Sequence, residues 1–575
     1  MSVIQRLKAA VLITALISIG AQAQRASATY ADRFAARANV EQNRQAEHQR
    51  DSVMQTPSVP PEALEAETYP SLPSEQPCFR IDRLVFEVLG ASSDMAKSLD
   101  RLAFTREWQK RYAGQCISKQ DIDALVEGLS RAIMESGYVT TRILVPDQDI
   151  SDGTLTLSLL PGIIRHVRVV DESLRGAWKP AFPTGDGQVL NEYDLEQGLE
   201  QMRRVPSQDV SIQIVPGGTP DESDVVLDVR RGKPLTIIAS VDNSGARPTG
   251  KVQGSLSMSI DNLFGLNDTF NIGVNQDLEF GDKHLGSHGL NGVYSVPWGY
   301  WTATLSAYTN TYDQQIAGVD RTFVASGNSK TIDLKLNRVL SRNQNDVFGA
   351  QFRLSRRFGQ GFIEDTLMPQ QCRNNTFIEL GLTDRHYFDA AEFDGTLAYR
   401  QGIDVFGSRD NRLLADGGPT YRYKMTVLDA NLSVPFAIAK QSLRYVGAFH
   451  GQYTGNTLYF VDDLIAGSRY TVRGFDGETM LAAARGLYWR NELQMPIEQT
   501  GLVVYAGLDY GHVWGPKPVA LVGAQLVGAV VGVKGNIGTR VGGYGYDLFV
   551  GAPVYKPVDF PTARVTLGFQ VTAQY

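Results

Sequence analysis

Val565-Thr566-Leu567-Gly568-Phe569-Gln570-Val571-Thr572-Ala573-Gln574-Tyr575 closes the chain with apolar residues at every odd position and polar or small ones between. A period of two marks a strand with one apolar face. The same texture runs back to about residue 235. Val252, Gly254, Leu256, Met258 and Ile260 alternate with Gln253, Ser255, Ser257 and Ser259. Ile332, Leu334 and Leu336 alternate with Asp333, Lys335 and Asn337. Leu443, Tyr445, Gly447, Phe449, Gly451 and Tyr453 do so beside Arg444, His450 and Gln452. A soluble two-layer sheet and a membrane barrel both produce such alternation. Three features favour the barrel. No clear helical period interrupts the region, and few continuous apolar runs suggest a sandwich core. Aromatics gather near strand ends, as in Trp298-Gly299-Tyr300-Trp301, where a membrane interface places them. The terminal aromatic on an apolar strand face is the third. At roughly 20 residues per strand with its loop, residues 233–575 hold about 16 antiparallel transmembrane strands.

The other end of the chain points the same way. Arg6 and Lys8 precede the apolar run Ala9 to Ile19, and Ala21-Gln22-Ala23 supplies small residues for cleavage. Residues 1–23 therefore read as a signal peptide, with the mature chain starting near Gln24. A membrane anchor helix is the alternative, but the run falls short of the roughly 20 apolar residues a span needs. No later stretch reaches that length. The net charge of −7 is spread along the 575 residues without a basic stripe, which argues against a nucleic-acid partner.

Residues 24–52 are helix formers with almost no apolar stripe, such as Ala35-Ala36-Arg37-Ala38. A Pro-rich linker follows over 53–77. Residues 78–162 read as strand, helix, helix, strand, strand. Leu84, Phe86 and Val88 alternate, and Ser118-Lys119-Gln120-Asp121 is a capping box. Ile122, Leu125, Leu129 and Ile133 repeat at helical spacing up to a C-cap at Gly137, and a turn at Asp152-Gly153 separates the last strands. Residues 163–232 repeat the plan. Ile163, Val167 and Val169 share a strand face opposite His166 and Arg168, Asn191 with Asp194 caps a helix, and Gly217-Gly218 turns a strand pair. Two tandem β-α-α-β-β units thus precede the barrel.

Only three cysteines occur, without a CxxC or Cys/His cluster, which argues against a metal site. Export allows Cys78 and Cys116 to pair, and both flank elements of one predicted domain; two unrelated buried thiols are the alternative. Cys372 has no evident partner. No GxxxxGK[ST], GxSxG or HExxH run occurs and the seven His are scattered, so neither an enzyme nor a cofactor is expected.

The sharpest segment is Gly467-Ser468-Arg469-Tyr470-Thr471-Val472-Arg473-Gly474-Phe475-Asp476-Gly477-Glu478, followed by Arg485-Gly486 and Arg490-Asn491-Glu492-Leu493. Taken alone, Arg473 reads as an exposed loop residue. Further on, Gly507, Asp509 and Gly511 share one strand face, so the Asp509 carboxylate is flanked by two positions without side chains. That hollow admits a planar guanidinium. Val504, Ala506, Leu508 and Tyr510 would then face lipid.

The extended run resembles the barrel loop of the TpsB outer-membrane transporters of two-partner secretion, relatives of the barrel-assembly insertases. The resemblance covers the whole mature chain. It implies that the loop, residues 461–486, folds into the lumen and that Val472-Arg473-Gly474-Phe475 pairs with the wall motif Gly507-x-Asp509-x-Gly511. It implies that the tandem units are POTRA domains, as Gly137-Tyr138-Val139-Thr140-Thr141-Arg142 and Leu160-Pro161-Gly162 also suggest. Cys78 and Cys116 match the disulfide of the haemolysin-type branch, and residues 24–52 match a plug helix in a wet lumen. Phe569 and Tyr575 match the signal read by the barrel-assembly machinery. Ala484 stands where many members carry an acidic residue, so no acidic contact is implied from that position. The implied function is export of one large exoprotein, an adhesin, haemolysin or contact-dependent toxin, by a monomer in the Gram-negative outer membrane. An insertase for other barrels is the alternative.

Overall fold

The computed structural model describes residues 69–70, 72, 76–90, 103–171, 174, 177–279, 285–317, 322–408, 418–497, 500–515, 522–539 and 542–575. The expected signal peptide, plug helix and most of the Pro-rich linker lie outside the described residues.

The first domain holds β1 (Phe79–Ile81), β2 (Arg83–Val88), α1 (Ala103–Tyr112), β3 (Gln115–Ile117), α2 (Lys119–Glu135), β4 (Arg142–Leu144) and β5 (Thr154–Leu160). β5 is central, parallel to β2 and antiparallel to β4. The capping box forms as the sequence predicts: Ser118 Oγ accepts from Asp121 N at 3.2 Å, and Asp121 Oδ2 accepts from Ser118 N at 2.7 Å. Leu125, Leu129 and Ile133 then bury against Trp108, Leu155 and Leu157. Cys78 and Cys116 are joined as a disulfide beside the β1–β3 pair, and Cys372 is a free thiol. Gly137 stops α2 with φ +87°. A Cβ there would meet Asn191 Oδ1 at 2.5 Å. Only glycine both ends the helix and admits the second domain, whose Tyr193 hydroxyl donates to Glu135 O at 2.6 Å.

The second domain holds β6 (Ile163–Val169), α3 (Glu192–Arg203), β7 (Gln208–Pro216) and β8 (Glu222–Arg231), with β8 central. Three readings of this unit need correction. First, among the described residues it has one helix, not two. Pro180 and Pro183 break the first helical segment, and Trp178 and Phe182 fill its place in the core edge to face. Second, a bulge between Ile164 and His166 shifts the start of β6, so Ile164 replaces Ile163 in the core beside Val167, while Val169 packs half-buried against the same core as expected. Third, Asn191 caps α3 through Tyr193 N, but Asp194 bonds the Tyr300 hydroxyl instead of completing the cap.

The bulge turns Arg165 towards Asp224, whose side chain is 1% exposed. Arg165 Nε and Nη2 donate to its two carboxylate oxygens at 2.8 and 2.6 Å, and Arg168 adds a second cation. The Arg165 hydrogen bonds hold the Asp224 carboxyl below the usual carboxylate range. The folded pKa therefore lies below the unfolded one, near 4. The pair's stabilisation is complete above that value and is lost as pH falls through the folded one. Asp224→Asn is expected to lower the second domain's stability at neutral pH and to flatten its acid unfolding limb. Limited proteolysis across a pH series measures both.

From Leu235–Asp242 to Thr566–Gln574 the chain closes into a barrel of sixteen antiparallel strands. The first and last strands meet over five residue pairs, Gln570↔Asp242 to Gln574↔Ile238. Exposure is inverted relative to a soluble core. Leu380, Leu508 and Val531 are 58%, 54% and 61% exposed on the outside, while Asn310, Asp333, Asn375 and Asp509 are buried within. A wall that is apolar outside and polar inside is what a bilayer selects. No helix among the described residues is long and apolar enough to cross a membrane.

The turn Trp298-Gly299-Tyr300-Trp301 carries more than interfacial aromatics. Trp298 is exposed, but Gly299 O accepts from Gln197 Nε2 and Gln201 Nε2 at 3.3 and 3.1 Å. Gly299 N donates to Pro180 O at 2.9 Å. Arg342 Nη1 donates to Gln197 Oε1 at 2.7 Å and Nη2 to Glu200. Arg204 Nη2 reaches Ser295 Oγ at 2.6 Å. One face of α3 is thus seated on the barrel rim, and this end of the barrel faces the two domains.

Candidate functional site

Between the strands Gln441–Thr454 and Arg485–Ile497 the chain folds inward rather than away from the barrel. Short strands Leu464–Ala466 and Leu481–Ala483 pair antiparallel and close a hairpin inside the wall. Leu464, Ala466, Val472, Phe475 and Leu481 pack with Val513, Leu526 and Phe560 of the barrel. Thr471 Oγ1 accepts from Gly467 N and Ser468 N, tightening the bend before the tip. A hydrophobic patch holds the loop against the wall, and its polar tip reaches further in.

Arg473 is that tip, 5% exposed, against Asp509 at 0%. Its Nε and Nη2 donate to Asp509 Oδ2 and Oδ1 at 2.8 and 3.0 Å, and its backbone N donates to Oδ2 at 3.0 Å. Nη1 donates to Glu492 Oε2 at 2.6 Å. Glu492 Oε1 also accepts from Lys534 Nζ at 2.7 Å and Gln494 Nε2 at 2.8 Å. Asn491 N gives Asp509 a fourth donor at 3.2 Å. A fork-to-fork pair with every lone pair engaged is the geometry in which a buried ion pair holds best.

Inward-facing glycines make the seat. A Cβ on Gly507 would stand 2.7 Å from Arg473 Nη2, so the expected hollow beside Asp509 receives the guanidinium. The other flank differs from expectation: Gly511 makes room for Val472 and Ala466, at 2.7 and 2.9 Å from its Cβ position. Two further glycines escape sequence reasoning. A Cβ on Gly528 would lie 1.8 Å from Arg473 O, and one on Gly551 would lie 2.8 Å from Gly474 Cα. Gly474 itself has φ +94° and no room for a side chain against Ala552 O.

A second anchor, of opposite charge sense, also went unpredicted. Asp462 lies on the ascending arm of the loop, and its side chain is 3% exposed. Its Oδ1 accepts from Arg357 Nη1 at 3.0 Å and from Arg373 Nη2 at 2.8 Å, on the far wall. Arg357 and Arg400 also lie over the Phe377 ring, 4.6 and 4.8 Å from its centroid. Gln452 Nε2 ties Asp462 O and Ala484 O together at 2.9 and 3.1 Å. Ala484 brings no acid, and Glu492 of the wall supplies the second carboxylate to Arg473 instead. For Glu492 the inward alternation after Gly486 was a usable signal. For Asp462 nothing local distinguishes an acid at a loop entrance.

Asp462→Asn leaves two buried cations without their carboxylate and is expected to free the ascending arm while the Arg473 seat holds. In a Cys372→Ser background, Leu458→Cys should become reactive to a thiol reagent and Phe475→Cys should stay protected. Equal protection at both positions would show that Asp462 anchors nothing.

Phe569 and Tyr575 lie on the outer face of the last strand, at the seam. Asn243 Nδ2 donates to Leu567 O at 2.7 Å and Asn243 Oδ1 accepts from Phe569 N at 2.9 Å. Arg469 of the loop donates to Phe569 O at 2.9 Å. Tyr575 exchanges backbone hydrogen bonds with Ile237 at 2.8 and 3.0 Å. No group of His, Cys, Asp and Glu with metal-binding arrangement occurs among the described residues.

Residues 221–535 match the family described as haemolysin secretion/activation protein ShlB/FhaC/HecB. Residues 88–162 match the ShlB-type POTRA domain, and 163–216 match a POTRA domain. The chain is 62% identical to the outer membrane transporter CdiB-2 of Burkholderia pseudomallei (strain 1026b), over 98% of each. It is 26% identical to the hemolysin transporter protein HpmB of Proteus mirabilis, over 69% of this chain and 71% of that one. CdiB from Escherichia coli shares the fold, with a TM-score of 0.80 at 24% identity, over 94% of this chain and 98% of that one.

Proposed function

Because this chain belongs to the ShlB/FhaC/HecB haemolysin secretion/activation family, we propose that it exports one large partner protein in extended form through a lumen gated by the Arg473 loop. It is an outer-membrane translocator of the TpsB type in a Gram-negative bacterium, with its POTRA domains in the periplasm. Relatives named CdiB and hemolysin transporter point to a contact-dependent toxin or a haemolysin as the cargo class.

The observation that carries the gating role is the buried Arg473–Asp509–Glu492 seat, which holds a loop inside the barrel. A passive pore has no use for it. The POTRA domains bind the unfolded partner by adding an extended segment to a sheet edge. The loop then shifts, and the partner threads outward as a hairpin. Without a nucleotide motif in the sequence, folding of the partner outside supplies the drive. The chain works as a monomer, performs no catalysis, and is inserted by the barrel-assembly machinery reading the Phe569–Tyr575 face.

Comparison of the secreted and outer-membrane proteomes of cells with and without the gene tests the reading. Loss of one large exoprotein with other barrels intact is the expected result. A broad decline of many barrels would put an insertase in its place.

A further inference from the structure

The outer face of the wall carries cations at a particular height. Because α3 seats on the Gly299 turn, that end of the barrel is periplasmic and the opposite strand ends point outward. On the strand Thr322–Arg342 the outward residues Ile332 and Leu334 are exposed between Lys330 and Arg338. Arg338 lies 5.1 Å over the ring of Trp301, which marks the periplasmic interface. About eight residues at a rise of about 3.3 Å and a tilt of about 40° span ~20 Å, close to the ~25 Å apolar band of such barrels. Lys330 therefore stands at the outer boundary of the hydrocarbon.

Arg356 stands at the same level on the next strand. Ile332 pairs with Arg356 and Lys330 with Phe358, so the two cations are diagonal neighbours on one face, roughly 7–8 Å apart. The Arg356 guanidinium is held in place, and among the described residues no carboxylate neutralises it. Nη1 donates to Thr376 Oγ1 at 3.0 Å, Nη2 to Phe406 O at 2.8 Å and to Asn374 Oδ1, and the group sits 4.5 Å over the Phe358 ring. The inward neighbours Arg353 and Arg357 each have a carboxylate, Asp333 and Asp462. Among the described residues Arg356 contacts only neutral acceptors. Round the wall the arrangement recurs: Arg485 donates to Thr454 O at 2.6 Å, lies 4.8 Å over Tyr453 and pairs in register with Trp514.

We propose that Arg356 and Lys330 form a binding site for the phosphate groups of an outer-leaflet glycolipid. A cation ordered by neutral groups at the edge of hydrocarbon lowers its free energy by taking up an anion. A guanidinium with N–H groups to spare accepts a phosphate in fork geometry. The ligand is a lipid rather than a free ion because exposed Phe358 and Ile332 adjoin the site and are covered only by acyl chains. The site is independent of the export path, since it lies on the other face of the wall.

The test uses the full-length protein in detergent and native mass spectrometry with diphosphorylated lipid A, its dephosphorylated form and inorganic phosphate. Wild type is expected to prefer the phosphorylated lipid. R356Q/K330Q should lower that binding about thirtyfold, two headgroup contacts at about 1 kcal/mol each. R338Q, which removes a cation from the periplasmic side of the same face, should leave it unchanged. Heat-modifiable migration confirms that each variant keeps its barrel. Equal binding of both lipids, an unchanged R356Q/K330Q, or an equal loss in R338Q would overturn the proposal. Full displacement by inorganic phosphate would mean a phosphate-ion site and not a lipid site.

Discussion

Asp509→Ala is expected to unseat the lumenal loop while leaving the barrel closed. The carboxylate receives four hydrogen bonds, three of them from Arg473. Its removal leaves a buried guanidinium held by Glu492 and a long contact to Asn491 O, and takes the acceptor from two backbone N–H groups, those of Arg473 and Asn491. Breaking one side of a buried pair costs about 3–5 kcal/mol. The cost falls on the seated state alone, because a loop that swings out recovers its hydration. The seated population should therefore drop by about two to four orders of magnitude relative to the unseated one. In a Cys372→Ser background, Phe475→Cys should go from protected to readily labelled, and conductance across a planar bilayer should rise. Secretion of the partner should fall, because the seat is lost as a defined stopping point. Unchanged labelling and conductance would mean that the hydrophobic patch around Phe475, not the ion pair, holds the loop.

Gly528→Leu attacks the same seat without touching a charge. The new Cβ would fall 1.8 Å from Arg473 O, a backbone atom that no rotamer change can move. The strand Gln525–Gly538 itself favours the larger residue. The wall should thus survive and the loop should be expelled, with labelling at Phe475→Cys close to that of Asp509→Ala. Gly538→Ala on the same strand has open space around its Cβ and serves as the control. Because both changes act through one seat, Asp509→Ala with Gly528→Leu should be far less than additive. Additive effects would place the two residues in separate devices.

Several elements were legible from local patterns. Alternation revealed the strands and their two faces, because a strand exposes its period to any reader of the sequence, and the missing helical period, the aromatics at strand ends and the terminal aromatic pointed to a barrel. The capping box of α2 and the Gly137 stop were legible because caps involve residues three or four apart. The Arg473 loop and Asp509 wall were recognisable as motifs, and Gly507 as the hollow beside the carboxylate. The second domain was the weak point: Pro180 and Pro183 were present to be read, yet symmetry with the first domain suggested a helix they do not allow. The β6 bulge has no such mark, since it is decided by Arg165 finding Asp224 some sixty residues away.

By itself, then, the sequence determined the faces of the barrel strands, the caps of α2 and the Arg473 and Asp509 motifs. Only the tertiary structure decided their partners. Glu492 and Lys534 meet Arg473, Asp462 meets Arg357 and Arg373, and Gly528 and Gly551 bed the loop, because closing sixteen strands sets one stagger between them. Shear and closure are properties of the whole ring. No short window of residues carries them, so contacts across the lumen become readable only once the ring is complete.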